Sequence, residues 1–178
     1  MNIEGIFNSY YDKVCSFTML RVGHVHDAED IACSVFVKVA EKLDTYDSDK
    51  AAFSTWIFTI TLNEIRMYFR ARKTECTLDD IAELADRFDI EEDLLRKEEY
   101  ALLCEAIGRL NENQKNAVLL KYFGGLTNIR IAEVMGLRES NVGFILHRAK
   151  KIIRKSLISS KESDAAAYKN IRKEGDVK

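Results

Sequence analysis

Proline is absent from all 178 residues, where an average chain would carry about 5%. Proline breaks helices because it lacks an N–H and its ring collides with the preceding turn. Without it, glycines and capping residues are the punctuation that remains, and alternating strand-like runs are scarce. An all-α fold is the expectation. Apolar residues make up 47% of the chain, enough for a packed core. No run approaches the ~20 apolar residues a membrane helix needs. The start, Met1-Asn2-Ile3-Glu4, lacks the basic-then-apolar pattern of a signal peptide. Cys15, Cys33, Cys76 and Cys104 form no Cys-x-x-Cys pair, so neither a zinc site nor a disulfide framework is expected. Reduced thiols suit a soluble, cytoplasmic protein with no metal, cofactor or membrane insertion.

The net charge of −2 is unevenly distributed. Residues 1–73 carry 9 basic and 10 acidic side chains, a net of −1, whereas residues 74–100 carry 3 and 11, a net of −8. Residues 101–157 carry 10 and 4, a net of +6, and the tail has 5 and 4. An acidic connector thus divides a near-neutral block from a basic one, the pattern of separate modules with separate partners.

The first block reads as three helices, over 6–22, from Asp27 to about Leu43, and from about Ser54 to Arg72. Asp27 suits an N-cap, with Glu29 and Asp30 following where the helix dipole favours acids. Ala28, Ala32, Val35, Phe36, Val39 and Leu43 recur at helical spacing as the core stripe of the second helix. A polar loop fills 44–50, and the acidic connector includes a candidate short helix around 78–88. In the second block a helix covers about 100–110. Asn111 and Gln114 have capping-box spacing for the next helix, which Gly124-Gly125 stops. Thr127 caps a short helix closed by Gly136, and a longer helix runs from about Glu139 to Leu157, before a polar tail expected to fray.

That last helix is two-faced. Val142, Ile145, Leu146, Ala149, Ile152, Ile153 and Leu157 fall within an arc of about 140°. Asn141, Phe144, His147, Arg148, Lys151 and Lys155 fall on the opposite side. A short helix, a glycine turn and a second helix with a basic outer face make a helix-turn-helix, whose second helix enters the major groove. A helical hairpin with a solvated charged face would carry similar charge. The spacing of Thr127, Gly136 and Asn141 and the local net of +6 favour DNA.

Two further surfaces are candidates. Trp56, Thr59, Asn63, Arg66, Arg70 and Lys73 share one side of the third helix. An aromatic, an amide and several cations in line suit a strand with splayed bases, although Trp56 would serve equally as a core residue. Opposite the core stripe of the second helix, Asp30, Cys33, Ser34, Val37 and Glu41 form a mixed face open to protein docking.

Together these residues carry a family likeness. Asp27-Ala-Glu-Asp-Ile31, Phe53-Ser-Thr-Trp-Ile57 and Ile60-Thr-Leu-Asn63, followed by Arg66 and the 70–73 cluster, resemble the second conserved region of the extracytoplasmic-function sigma factors of the sigma-70 family. Gly125-Leu-Thr127, Ile131-Ala-Glu-Val-Met-Gly136, Val142 and His147-Arg-Ala-Lys150 resemble that family's fourth region. The likeness covers roughly 6–73 and 100–157. It implies two small helical domains, a region-2 bundle over 1–73 and a region-4 helix-turn-helix over 100–157, with an acidic linker over 74–99 and a tail over 158–178.

The resemblance further implies a promoter-recognition subunit of bacterial RNA polymerase, with no catalysis of its own. Asp30, Cys33, Ser34 and Val37 would meet core polymerase, whose partner surfaces are the clamp helices of the largest subunit and the flap of the second. Tyr46, Ser48, Lys50, Trp56, Asn63, Arg66 and Arg70 would hold the opened minus-ten element. Arg138, Ser140, Asn141, Phe144, His147, Arg148, Lys151 and Lys155 would read the minus-thirty-five duplex. An anti-sigma factor is a further partner of the kind. The chain departs from the pattern in four places. One is Asn141, Gly143 and Phe144, where a Thr and a basic or small polar residue are usual, so that Phe144 could touch a thymine methyl and Asn141 pair with adenine. Cys33-Ser34 stands for Gln-Glu, Arg138 for a Ser or Thr cap, and Arg130 for an acid. A stand-alone helix-turn-helix regulator is the alternative, but it leaves the stripe of Trp56, Asn63 and Arg66 without a purpose. A sigma-like adaptor that binds proteins only is a third reading, supported by Cys33-Ser34. An enzyme is least supported, since His24, His26 and His147 form no ligand set and no phosphate loop occurs.

Overall fold

The spacing of apolar residues at three and four resolves into helices along the chain. The structure, a computed structural model, describes residues 2–71 and 94–175, with side chains at 2–71 and 101–159. In order come α1 (Ile3–Val22), α2 (Val25–Lys42), a 3-10 turn (Leu43–Thr45) and α3 (Phe53–Ala71). After the acidic stretch come α4 (Leu94–Gly108), α5 (Glu112–Tyr122), α6 (Asn128–Met135) and α7 (Glu139–Gly175). The candidate short helix at 78–88 and Lys73 lie outside the described residues.

In the first module, α1, α2 and α3 pack around Val14, Phe17, Val35, Val39, Ile57 and Phe58, all buried. The rings of Phe17 and Phe58 meet edge to face, 5.6 Å apart. Each such side chain stabilises the bundle by about 1.5–3 kcal/mol relative to exposure. Asn2 caps α1 by accepting the Gly5 N–H at 2.9 Å, and Gly23 ends it with a left-handed φ of 86°. The core stripe expected of α2 is buried, with Leu43 half-buried at its end. Its start is not as expected. His24 occupies the N-cap position and Asp27 lies within the first turn. The Asp27 carboxylate instead accepts the Tyr68 hydroxyl of α3 at 2.8 Å. Buried Val25 draws the helix back toward Gly23.

In the second module the punctuation falls where the sequence puts it. Asn111 and Gln114 complete a reciprocal capping box, Thr127 accepts the Arg130 N–H, and Gly136 ends α6 with φ 66°. Leu119, Leu120, Ile131, Val142 and Ala149 form the core between α5, α6 and α7. Two helices outrun their expected bounds, since α4 begins at Leu94 and α7 continues to Gly175. Polar composition is not a stop signal, and neither proline nor glycine interrupts α7 between Gly143 and Gly175.

The modules touch through α1 and α3 on one side and α5 and α6 on the other. Arg21 on α1 is 7% exposed. Its Nε donates to Asn116 Oδ1 at 2.8 Å, its Nη2 pairs with the Glu112 carboxylate, and its guanidinium lies 4.9 Å over the Phe69 ring. Burial pushes this guanidinium below its ordinary range, Glu112 opposes the shift, and Arg66 adds to it. Thr55 donates to Glu133 at 3.0 Å, and Arg130 donates to Ser54 at 3.3 Å. Arg130, a departure from the family pattern, therefore has a seat on the first module. Burial pushes the Tyr10 hydroxyl up, against the pull of the same Arg130, while Tyr46 adds to the rise. A Cβ at Gly124 would stand 2.7 Å from the Leu120 carbonyl oxygen and 3.1 Å from Phe58 of the first module. Only glycine fits that notch.

Candidate nucleic-acid interface

Of the three sequence-derived surfaces, the α7 set is exposed throughout, whereas Trp56 and Ser34 are half-buried in theirs. On α7, Val142, Leu146 and Ala149 are buried, and Ile145, Ile152, Ile153 and Leu157 are half-buried. Asn141, Phe144, His147, Arg148, Lys151 and Lys155 are all exposed, as are Arg138 and Ser140 just before them. The Arg138 carbonyl accepts the amides of Asn141 and Val142 at 3.0 and 3.3 Å, which sets the first turn of α7. α6 packs across the buried side of α7, so the polar side is the one left for a ligand. Arg154, absent from the expected set, is exposed three residues beyond Lys151. Helical spacing alone places it on the edge of that basic face.

α3 shows both readings of its stripe at once. Trp56 is half-buried, 5.2 Å from the Tyr46 ring and 5.4 Å from Phe53, so one face of the indole is core. Beyond it Asn63, Arg66 and Arg70 are exposed, and Arg66 donates to Asn63 Oδ1 at 3.1 Å. The loop ahead of α3 is held by its own bonds. Tyr46 donates to the Ala51 carbonyl at 3.0 Å, and Asp47 accepts the Asp49 N–H at 2.9 Å. Lys50 pairs with Asp47 at 3.0 Å, which with the Asp49 N–H holds that carboxyl below the usual range. Ser48 and Lys50 face solvent.

On α2, Asp30, Cys33, Val37 and Glu41 are exposed, and Val37 is 57% exposed. Ser34 is half-buried, and its hydroxyl donates to Glu64 of α3 at 2.9 Å beside Lys38 on the same carboxylate. It braces α2 against α3. A surface that sequence reading missed lies behind the helix-turn-helix, where α4, α5 and α7 enclose a groove of about 680 Å³. Leu103, Ile107, Val118, Phe123, Ile153 and Leu157 line it, with Lys150 and Arg154 at its edge. No single helix shows it, because each contributes only part of the wall. No helix among the described residues is long and apolar enough to cross a membrane.

Residues 6–75 match the model of sigma-70 region 2, and residues 101–153 match that of sigma-70 region 4. The chain is 30% identical to the ECF RNA polymerase sigma factor RpoE of Cereibacter sphaeroides, over 74% of this chain and 73% of that protein. It is 26% identical to the ECF RNA polymerase sigma factor BldN of Streptomyces coelicolor, over 85% of this chain but 59% of that longer protein. A solved structure of the sigma factor RpoE with the anti-sigma factor NepR from Bartonella quintana shares the fold. Its TM-score is 0.69 at 17% identity, over 86% of this chain and 95% of that one. With both regions matched in order and a relative 30% identical over most of both chains, the chain belongs to the extracytoplasmic-function group of the sigma-70 family of RNA polymerase sigma factors.

Proposed function

We propose that this chain rides on core RNA polymerase in the cytoplasm and selects promoters through two faces, without catalysis of its own. The observation that carries the reading is the α7 face, where amide, aromatic, imidazole and cationic side chains are exposed together over a buried apolar back. The first turns of α7 enter the major groove of the minus-thirty-five element, and Arg148, Lys151 and Lys155 meet phosphates. On α3, Trp56, Asn63, Arg66 and Arg70, with Tyr46, Ser48 and Lys50 of the preceding loop, hold the opened minus-ten strand. Bases stack on the aromatics and the cations follow the backbone. Lys50 then exchanges Asp47 for a phosphate.

Asp30, Cys33 and Val37 on α2 meet the clamp helices of the largest polymerase subunit, with Ser34 setting the angle of α2 through Glu64. The apolar groove behind α7 suits the flap of the second subunit, since it lies off the basic reading face. An anti-sigma factor is a further partner, as for the structural relative from Bartonella quintana.

The test is the pair Arg148→Ala and Lys151→Ala, assembled with core polymerase on promoter duplex. Each lost phosphate contact removes about 0.9 from the slope of log K against log salt, so the double variant flattens it by about 2. An unchanged affinity and slope would overturn the assignment of α7.

A further inference from the structure

Two adjacent residues of α7 are poorly suited to an exposed helix. Phe144 is 70% exposed, more than any other large apolar side chain among the described residues. Gly143 is the fifth residue of α7, past the cap, where glycine is the least favourable residue short of proline. Nothing in the fold requires it. Gly143 is absent from the positive-φ glycines, and a Cβ there would meet nothing within 4 Å. A phenyl ring gains nothing from phosphate, and an exposed ring amid cations costs solubility. Side-by-side breaches of local preference in a helix that is otherwise well patterned are the mark of a binding surface.

Both residues make sense inside a major groove. Phe144 projects among the base edges, and Gly143, about 100° round the helix from it, leaves the flank beside it slim. The one apolar group displayed there is the C5-methyl of thymine. Asn141 is three residues earlier on the same face, about 4.5 Å along the axis, and an amide pairs in bidentate fashion with adenine. His147 and Arg148 follow one turn later, toward the backbone.

We propose that Phe144 is a specificity-determining residue that reads a thymine methyl in the minus-thirty-five duplex, within a base pair or two of an adenine held by Asn141. The assignment rests on the helix-turn-helix reading above. It gives the preferred duplex a thymine–adenine signature set by this chain's own side chains.

The experiment uses holoenzyme assembled from the full chain and core polymerase. Preferred duplexes are selected from a random library, and each thymine is then replaced singly by deoxyuridine, which lacks only the methyl. At one position the swap weakens the unmodified chain roughly three- to tenfold, the scale of one buried methyl. Phe144→Ala loses a similar factor on the thymine duplex and is indifferent to the swap. Asn141→Ala keeps the methyl effect and loses the preference for adenine. Equal binding of thymine and deoxyuridine duplexes at every position, with the salt slope of Arg148 and Lys151 intact, overturns the role of Phe144 while the helix-turn-helix reading stands. A holoenzyme that shows no duplex preference at all overturns both.

Discussion

At the scale of single residues, Arg21 and Gly124 show how closely the two modules are fitted. The Arg21 guanidinium is buried, while its partner Glu112 has a side chain 70% exposed. Water screens that ion pair from one side, and exposed pairs contribute about 0–1 kcal/mol. Asn116 is 7% exposed, so its bond to Arg21 is the costlier one to lose. Glu112→Gln should therefore move the urea midpoint little, whereas Asn116→Ala should destabilise by about 1–3 kcal/mol. Equal losses would mean that the carboxylate carries the contact. Gly124→Ala forces a methyl against a backbone oxygen that has nowhere to go. A loss of about 1–3 kcal/mol in the same measurement is expected.

At the scale of elements, α3 joins a core face to an exposed face of amide and cations, the one proposed to hold DNA. Asn63→Ala removes an exposed amide and its bond to Arg66, so folding should be unaffected. Open-complex formation, followed by permanganate reactivity of unpaired thymines, should fall while duplex binding persists. Normal opening would remove Asn63 from the strand-holding set. The sequence showed α3, the α2 stripe and the two faces of α7 because helical periodicity survives whatever the partner is. It also showed Asn111, Thr127 and Gly136, whose capping bonds are local. It hid what depends on distant residues. Asp27 has a good cap's chemistry but gives its carboxylate to Tyr68, 41 positions away. Arg21 reads as a surface cation until Asn116, 95 positions on, is seen to receive it. Ser34 reads as a plain surface hydroxyl until Glu64, 30 positions on, is seen to accept it. The groove behind α7 is assembled from three helices and is visible in none.

At the scale of the whole molecule, the two faces proposed to read DNA belong to modules that touch. Elements named for positions ten and thirty-five are about 25 base pairs apart, roughly 85 Å of duplex at 3.4 Å per pair. Residues 72–93, fully extended, reach at most about 75 Å, which together with the modules' own width covers that distance. On the proposed function, dyes at the exposed positions 12 and 105, outside both DNA faces and in a cysteine-free background, should therefore move apart when the chain joins core polymerase and promoter. Constant energy transfer would mean that the modules stay together at work. The contact of Arg130 and Glu133 with Ser54 and Thr55 falls on the first turn of α3, next to Trp56. If α3 holds an unwound strand as proposed, that strand and the second module are rivals for one helical turn, and a short single-stranded oligonucleotide should act as a wedge between the halves before any polymerase is added.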